Sequence, residues 1–86
     1  MKYYIQNTNA GFLGNSIYFW GQDGSSYTAK LEKAKKFTHK EAKDICEVDP
    51  KKYKAWPVEY IVNNDGTATV TDSQYLNREM IVDFKF

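Results

Sequence analysis

The sequence predicts one α+β domain over residues 1–86: an antiparallel β-sheet of four to six strands with one short α-helix at about residues 39–48. Three observations lead there. Short β-prone segments occupy both ends of the chain, each bounded by Gly- or Asn-containing turns. Thr38-His39-Lys40-Glu41 forms a capping box, in which the Thr hydroxyl and the Glu carboxylate satisfy the exposed backbone donors of a helix start. Asp49-Pro50 then stops that helix, because proline pushes the preceding residue away from helical angles.

Taken in order, Lys2 to Gln6 sets Tyr3 and Ile5 against Tyr4 and Gln6, the period of two that defines a strand, and ends at Asn7-Thr8-Asn9-Ala10-Gly11. Ser16-Ile17-Tyr18-Phe19-Trp20 reads as a second strand, closed by Gly21-Gln22-Asp23-Gly24, and Ser26-Tyr27-Thr28-Ala29 returns antiparallel to it. Leu31, Ala34 and Phe37 recur at intervals of three within a lysine-rich connection, which is either a helical turn or a segment laid across the sheet. In the helix, Ala42, Ile45 and Cys46 form a narrow apolar stripe opposite Lys40, Lys43, Asp44 and Glu47. Val58-Glu59-Tyr60-Ile61-Val62 and Thr67-Ala68-Thr69-Val70-Thr71 are expected to pair as a hairpin through Asn63-Asn64-Asp65-Gly66. Glu79 to Phe86 alternates Met80, Val82, Phe84 and Phe86 on one face, predicting a last strand.

Length and charge narrow the function classes. Eighty-six residues suit one core and leave little room for a deep cleft. A composition of 42% hydrophobic and 16% aromatic residues belongs to a folded globule rather than a disordered tail. No apolar run approaches the roughly 20 residues that span a bilayer, and the N-terminus turns polar before a signal-peptide core forms, so no membrane partner and a cytoplasmic location are expected. The lone Cys46 has no disulfide or CxxC partner, which fits a reducing compartment.

Catalytic and metal chemistry find little purchase. His39, the one histidine, lies seven positions from Cys46 on the same predicted helix, about 10 Å along its axis, too far to activate a thiol. Cys46 is therefore read as a small core residue and His39 as a surface one. Asp44, Glu47 and Asp49 lack the spacing of a calcium loop, and Gly11-Phe12-Leu13-Gly14 lacks the basic and helical surroundings of a nucleic-acid-clamping GxxG loop. No catalytic residue, metal or cofactor is expected.

The charge is uneven although the chain as a whole carries +1. Residues 30 to 54 hold nine lysines against five acids, and the remainder three cations against six acids. The Lys30–Lys54 region could contact phosphates, but it contains no arginine, the usual residue for bidentate phosphate and base contacts, so nucleic acid is the lesser reading. Fourteen aromatics are many for one small core. Either the chain covers both sheet faces itself, or a homodimer or a foreign protein covers one. Tyr18, Trp20, Tyr27, Lys33 and Lys36 lie on two neighbouring predicted strands and the basic connection after them, and are the candidate binding residues. Their aromatics would anchor a partner and their lysines would speed encounter with an acidic surface.

Over residues 3 to 57 the chain resembles a group of small proteins encoded by phages and prophages. The resemblance rests on Tyr3-Tyr4-Ile5-Gln6-Asn7, Gly14-Asn15, Trp20, Tyr27-Thr28, Ala34, Phe37, Glu41-Ala42, Ile45-Cys46 and Trp56-Pro57. Residues 58 to 86 depart from it. Such proteins generally have no assigned activity, so the resemblance implies a phage setting and carries over no catalytic residue. With the small size and aromatic surface, it leads to the expectation of a non-catalytic binding protein that occupies a host protein, comparable in size to inhibitors of bacterial defence such as anti-CRISPR proteins. A nucleic-acid accessory protein and a small-molecule sponge are the alternatives.

Overall fold

The computed structural model describes residues 1–14, 16–22, 26–65 and 76–85. Its centre is β1 (Tyr3–Asn7), flanked on one side by β6 (Tyr53–Pro57) and on the other by β4 (Phe19–Trp20), which in turn pairs with β5 (Tyr27–Thr28). All three pairings are antiparallel, giving a four-stranded sheet in the order β5-β4-β1-β6. A separate two-stranded ladder joins β2 (Phe12–Leu13) to β3 (Ser16–Ile17). Gly14 in its turn has φ +61°, a left-handed angle that glycine adopts without a Cβ penalty. The predicted strand Ser16–Trp20 is thus divided at Tyr18, with β3 serving the small ladder and β4 the main sheet.

Alternation along β1 sorts the core into two layers. Ile5 lies opposite Ala55 and Asn7 opposite Tyr53 on one face, while Tyr4 lies opposite Trp56 and Gln6 opposite Lys54 on the other. The first face carries a cluster of Tyr3, Ile5, Phe37, Ala42, Cys46 and Ala55 beneath α1 (His39–Val48). Thr38 and Glu41 close the predicted capping box, with Glu41 N–H donating to Thr38 Oγ1 at 3.2 Å and Thr38 N–H donating to Glu41 Oε1 at 2.9 Å. Those bonds also hold the Glu41 carboxyl below its usual range, through the Thr38 backbone and hydroxyl. The lysine-rich connection is both a helical turn, a 3-10 turn at Leu31–Lys33, and a crossing segment. Lys35 N–H donates to the Trp20 carbonyl, and Phe37 exchanges two backbone bonds with Tyr3.

The second face departs from expectation. Val58 to Val62 is not a strand but opens α2 (Val58–Asp65). A five-residue run with four apolar or aromatic positions and only Glu59 charged fits either period, and Val58 and Ile61, three apart, reach the same side of a helix turn. There they join Tyr4, Ile17, Phe19, Ala34 and Trp56 in the second cluster, with Ile61 fully buried and Val62 exposed. Tyr60 stacks on Trp56, with centroids 6.2 Å apart and planes inclined by 9°. Its would-be hairpin partner, Thr67–Thr71, lies outside the described residues.

Glu79 to Lys85 is likewise not a strand. Arg78–Met80 makes a 3-10 turn, and among the described residues the segment meets β6 through one backbone bond, Val82 N–H to the Ala55 carbonyl at 2.9 Å. Leu76 and Ile81 pack against the second cluster, whereas Val82 and Phe84 pack against the first. The segment therefore crosses the β6 edge from one face of the sheet to the other. Both faces are covered from within the chain, by α1 on one and α2 on the other.

Candidate functional site

Burial sets the protonation state of the chain's one thiol. Cys46, on the sheet-facing side of α1, is 4% exposed, and burial pushes its thiol up to about 11 against a small opposing effect of Lys54, so the reactive thiolate is suppressed at neutral pH. His39 is exposed at the first helical position and meets Tyr3 and Phe84 edge-on, at 5.9 and 5.2 Å between centroids. Among the described residues no three His, Cys, Asp or Glu side chains converge as metal ligands. No described helix is long and apolar enough to cross a membrane.

The five candidate binding residues are distributed over more than one surface. Trp20 and Tyr27 are cross-strand partners with stacked rings, 6.2 Å between centroids. Trp20 also leans on Phe37 at 5.7 Å and Tyr53 at 5.4 Å, which makes it half core. Tyr27 and exposed Lys33 line one depression with Gln22, Ser26 and Thr28. Lys36 lines a neighbouring one with Tyr4, Leu31 and Val62, and Gln22 borders both. Tyr18 is half-buried at the junction of β3 and β4, where its carbonyl accepts from Asn7 N–H at 3.1 Å, and borders neither depression.

The Tyr27 hydroxyl is the polar focus of this region. Burial alone would raise its pKa, but hydrogen bonding with Trp20, Tyr53 and Asn7 and the Lys52 charge outweigh burial and hold it below its usual value. Lys52 is shifted up in return, chiefly by hydrogen bonding to Tyr53, over whose ring its ammonium sits at 5.1 Å. The group therefore places a hydroxyl and an ammonium beside an aromatic stack, where both are able to hydrogen-bond to a partner.

Sequence reasoning missed a second surface. On the α2 face of the sheet, a cleft of about 380 Å³ has Phe12, Gln6, Trp56, Lys51, Lys54 and Arg78 along its walls. Phe12 is 50% exposed, whereas Gln6 and Trp56 are buried. Trp56 Nε1–H donates to Gln6 Oε1 at 2.9 Å, across 50 residues of sequence. Lys54 Nζ is anchored by donating to the Pro50 carbonyl at 2.7 Å. The available signals were Gln6 at a position of β1 whose neighbours are all apolar or buried, and the chain's single arginine.

Compared with protein-family models, with curated proteins and with solved structures, the chain has no match.

Proposed function

We propose that the protein is a non-catalytic binding protein that acts by occupying another protein, and that the β5 end of the sheet is its docking surface. The observation that carries this reading is the convergence of Tyr27 and Lys33 on one depression beside the Trp20–Tyr27 stack. Among the described residues β5 is an edge strand, so beyond it the sheet presents backbone groups and side chains to a docking partner. Lys30, Lys33 and Lys36 are all exposed along the following connection and favour an acidic partner surface. The resemblance to phage and prophage proteins suggests a bacterial host as the source of that partner, and inhibition of a host defence system as the outcome.

Tyr27→Ala is the sharpest probe, because Trp20→Ala would remove packing against Phe37 and Tyr53 and lower the melting temperature whatever the function. Bacterial lysate is passed over the wild-type protein, Tyr27→Ala and Lys33→Ala, and the captured protein is identified and its affinity measured. The expected result is a loss of at least about 2 kcal/mol of binding for Tyr27→Ala. Lys33→Ala should slow association and reduce its salt dependence. A partner bound equally by all three folded proteins overturns the assignment of this surface.

A further inference from the structure

The cleft on the α2 face combines three features that together specify a ligand. First, its charge has one sign: Lys51, Lys54 and Arg78 border it, and among the described residues no acid does. Three cations around one small space call for a dense anionic group, and an arginine fork matches phosphate oxygens in pairs. Second, Gln6 is held in one orientation. Indole N–H is only a donor, so Trp56 takes the Gln6 oxygen and leaves the two Nε2 donors. Gln6 is 6% exposed, and among the described residues that hydrogen bond is the only one its side chain makes. A buried amide donor left over in a cleft wall is a place for a ligand acceptor. Third, Phe12 is half exposed at the same cleft and presents a flat apolar surface.

We propose that this cleft binds a free nucleotide, with its phosphate held by Lys51, Lys54 and Arg78, its base against Phe12, and an acceptor atom of the base at Gln6 Nε2. The volume falls within the range of small-ligand sites. The larger depression of about 580 Å³ near Lys36 offers a weaker case, because Glu32 stands beside its lysines. Stacking on Phe12 accounts for affinity that phosphate alone lacks, and the fixed amide accounts for a preference among bases. This site is separate from the β5 surface and stands whether or not that surface binds a protein.

The test is a titration of the isotope-labelled protein with AMP, GMP, CMP, UMP and inorganic phosphate, followed by amide chemical shifts. Saturable binding of at least one nucleotide is expected, about tenfold or more tighter than phosphate, with shifts at Gln6, Phe12 and Lys54. Arg78→Gln and Lys54→Gln should each weaken that nucleotide about tenfold. Phe12→Ser should reduce nucleotide binding while leaving phosphate binding as it was. Variants are compared only after their melting temperatures show them folded, and Arg78, exposed in a 3-10 turn, is the least demanding of them. The proposal is overturned by any of four results: no nucleotide binding at millimolar concentration, phosphate binding as well as nucleotides, folded variants indistinguishable from wild type, or shifts confined elsewhere. A single-stranded tetranucleotide binding more tightly than every mononucleotide would also overturn it in favour of a nucleic-acid groove.

Discussion

Cys46 and Gln6 are both buried polar side chains, and their surroundings give them opposite consequences. Cys46 sits among carbon atoms of Tyr3, Ile5, Phe37 and Ala55, so its neutral form is favoured and its pKa rises from 9.0 to about 11. The folded state then holds a proton that the unfolded state releases. Stability from this source is complete below about pH 9 and is lost as pH rises toward 11. Urea unfolding of wild type and Cys46→Ala across this range should show the wild type losing stability more steeply with pH; equal slopes would show that the thiol is not held protonated. Cys46→Ser should cost about 1 kcal/mol or more, since a hydroxyl replaces a thiol in an apolar layer, yet leave binding intact. Loss of binding in a folded Cys46→Ser protein would reopen a chemical role for the thiol. That Cys46 is a core residue was legible from its place on the helix stripe. The vacant donors of Gln6 were not, because they depend on Trp56, which is adjacent only after β1 and β6 pair. The cleft is similarly assembled from residues as distant as Gln6 and Arg78, and no local pattern announces such a meeting.

For whole elements, legibility follows the strength of local signals. α1 was readable at both ends because its start and stop are encoded within a few residues, and it runs from His39 to Val48 as expected. Thr38→Ala should therefore cost about 1 kcal/mol of stability by leaving an N-terminal donor unsatisfied, measured by thermal or urea unfolding. No change would mean that the bond is already exchanged with water. α2 has no such marker. Its sequence is β-branched enough for a strand, and packing against Tyr4 and Trp56 overrides that propensity. Two substitutions distinguish the periods. Ile61→Ala should cost about 2–5 kcal/mol, because its site is fully enclosed, whereas Val62→Ala should be nearly neutral. A large cost at Val62 would contradict the helical phase. Glu79 to Lys85 misleads in the same way: alternation is necessary for a strand, but pairing decides, and here, among the described residues, one backbone bond to Ala55 stands in place of a ladder.

In the molecule as a whole, each sheet face has its own apolar layer, and residues 76–84 contribute to both. Leu76 and Ile81 complete the layer beneath α2, Val82 and Phe84 complete the one beneath α1, and the Val82–Ala55 bond lies at the crossing between them. Tyr60 ties the same segment to α2 by accepting from Asn77 N–H at 2.7 Å. An element that packs on both layers couples them, so the two layers should unfold together rather than in succession. A chain ending after residue 75 loses packing from both layers at once. It should unfold over a broad transition, with a lower midpoint and a smaller m-value, instead of as one cooperative unit. Ile81→Ala and Phe84→Ala offer a finer test in the full-length chain. Ile81 packs on the second cluster and Phe84 on the first, and both substitutions should lower the same single transition, seen identically by tryptophan fluorescence and by far-ultraviolet circular dichroism. Two separated transitions, one sensitive to Ile81 and the other to Phe84, would show instead that the sheet holds two independent cores and that the crossing segment merely lies across its edge.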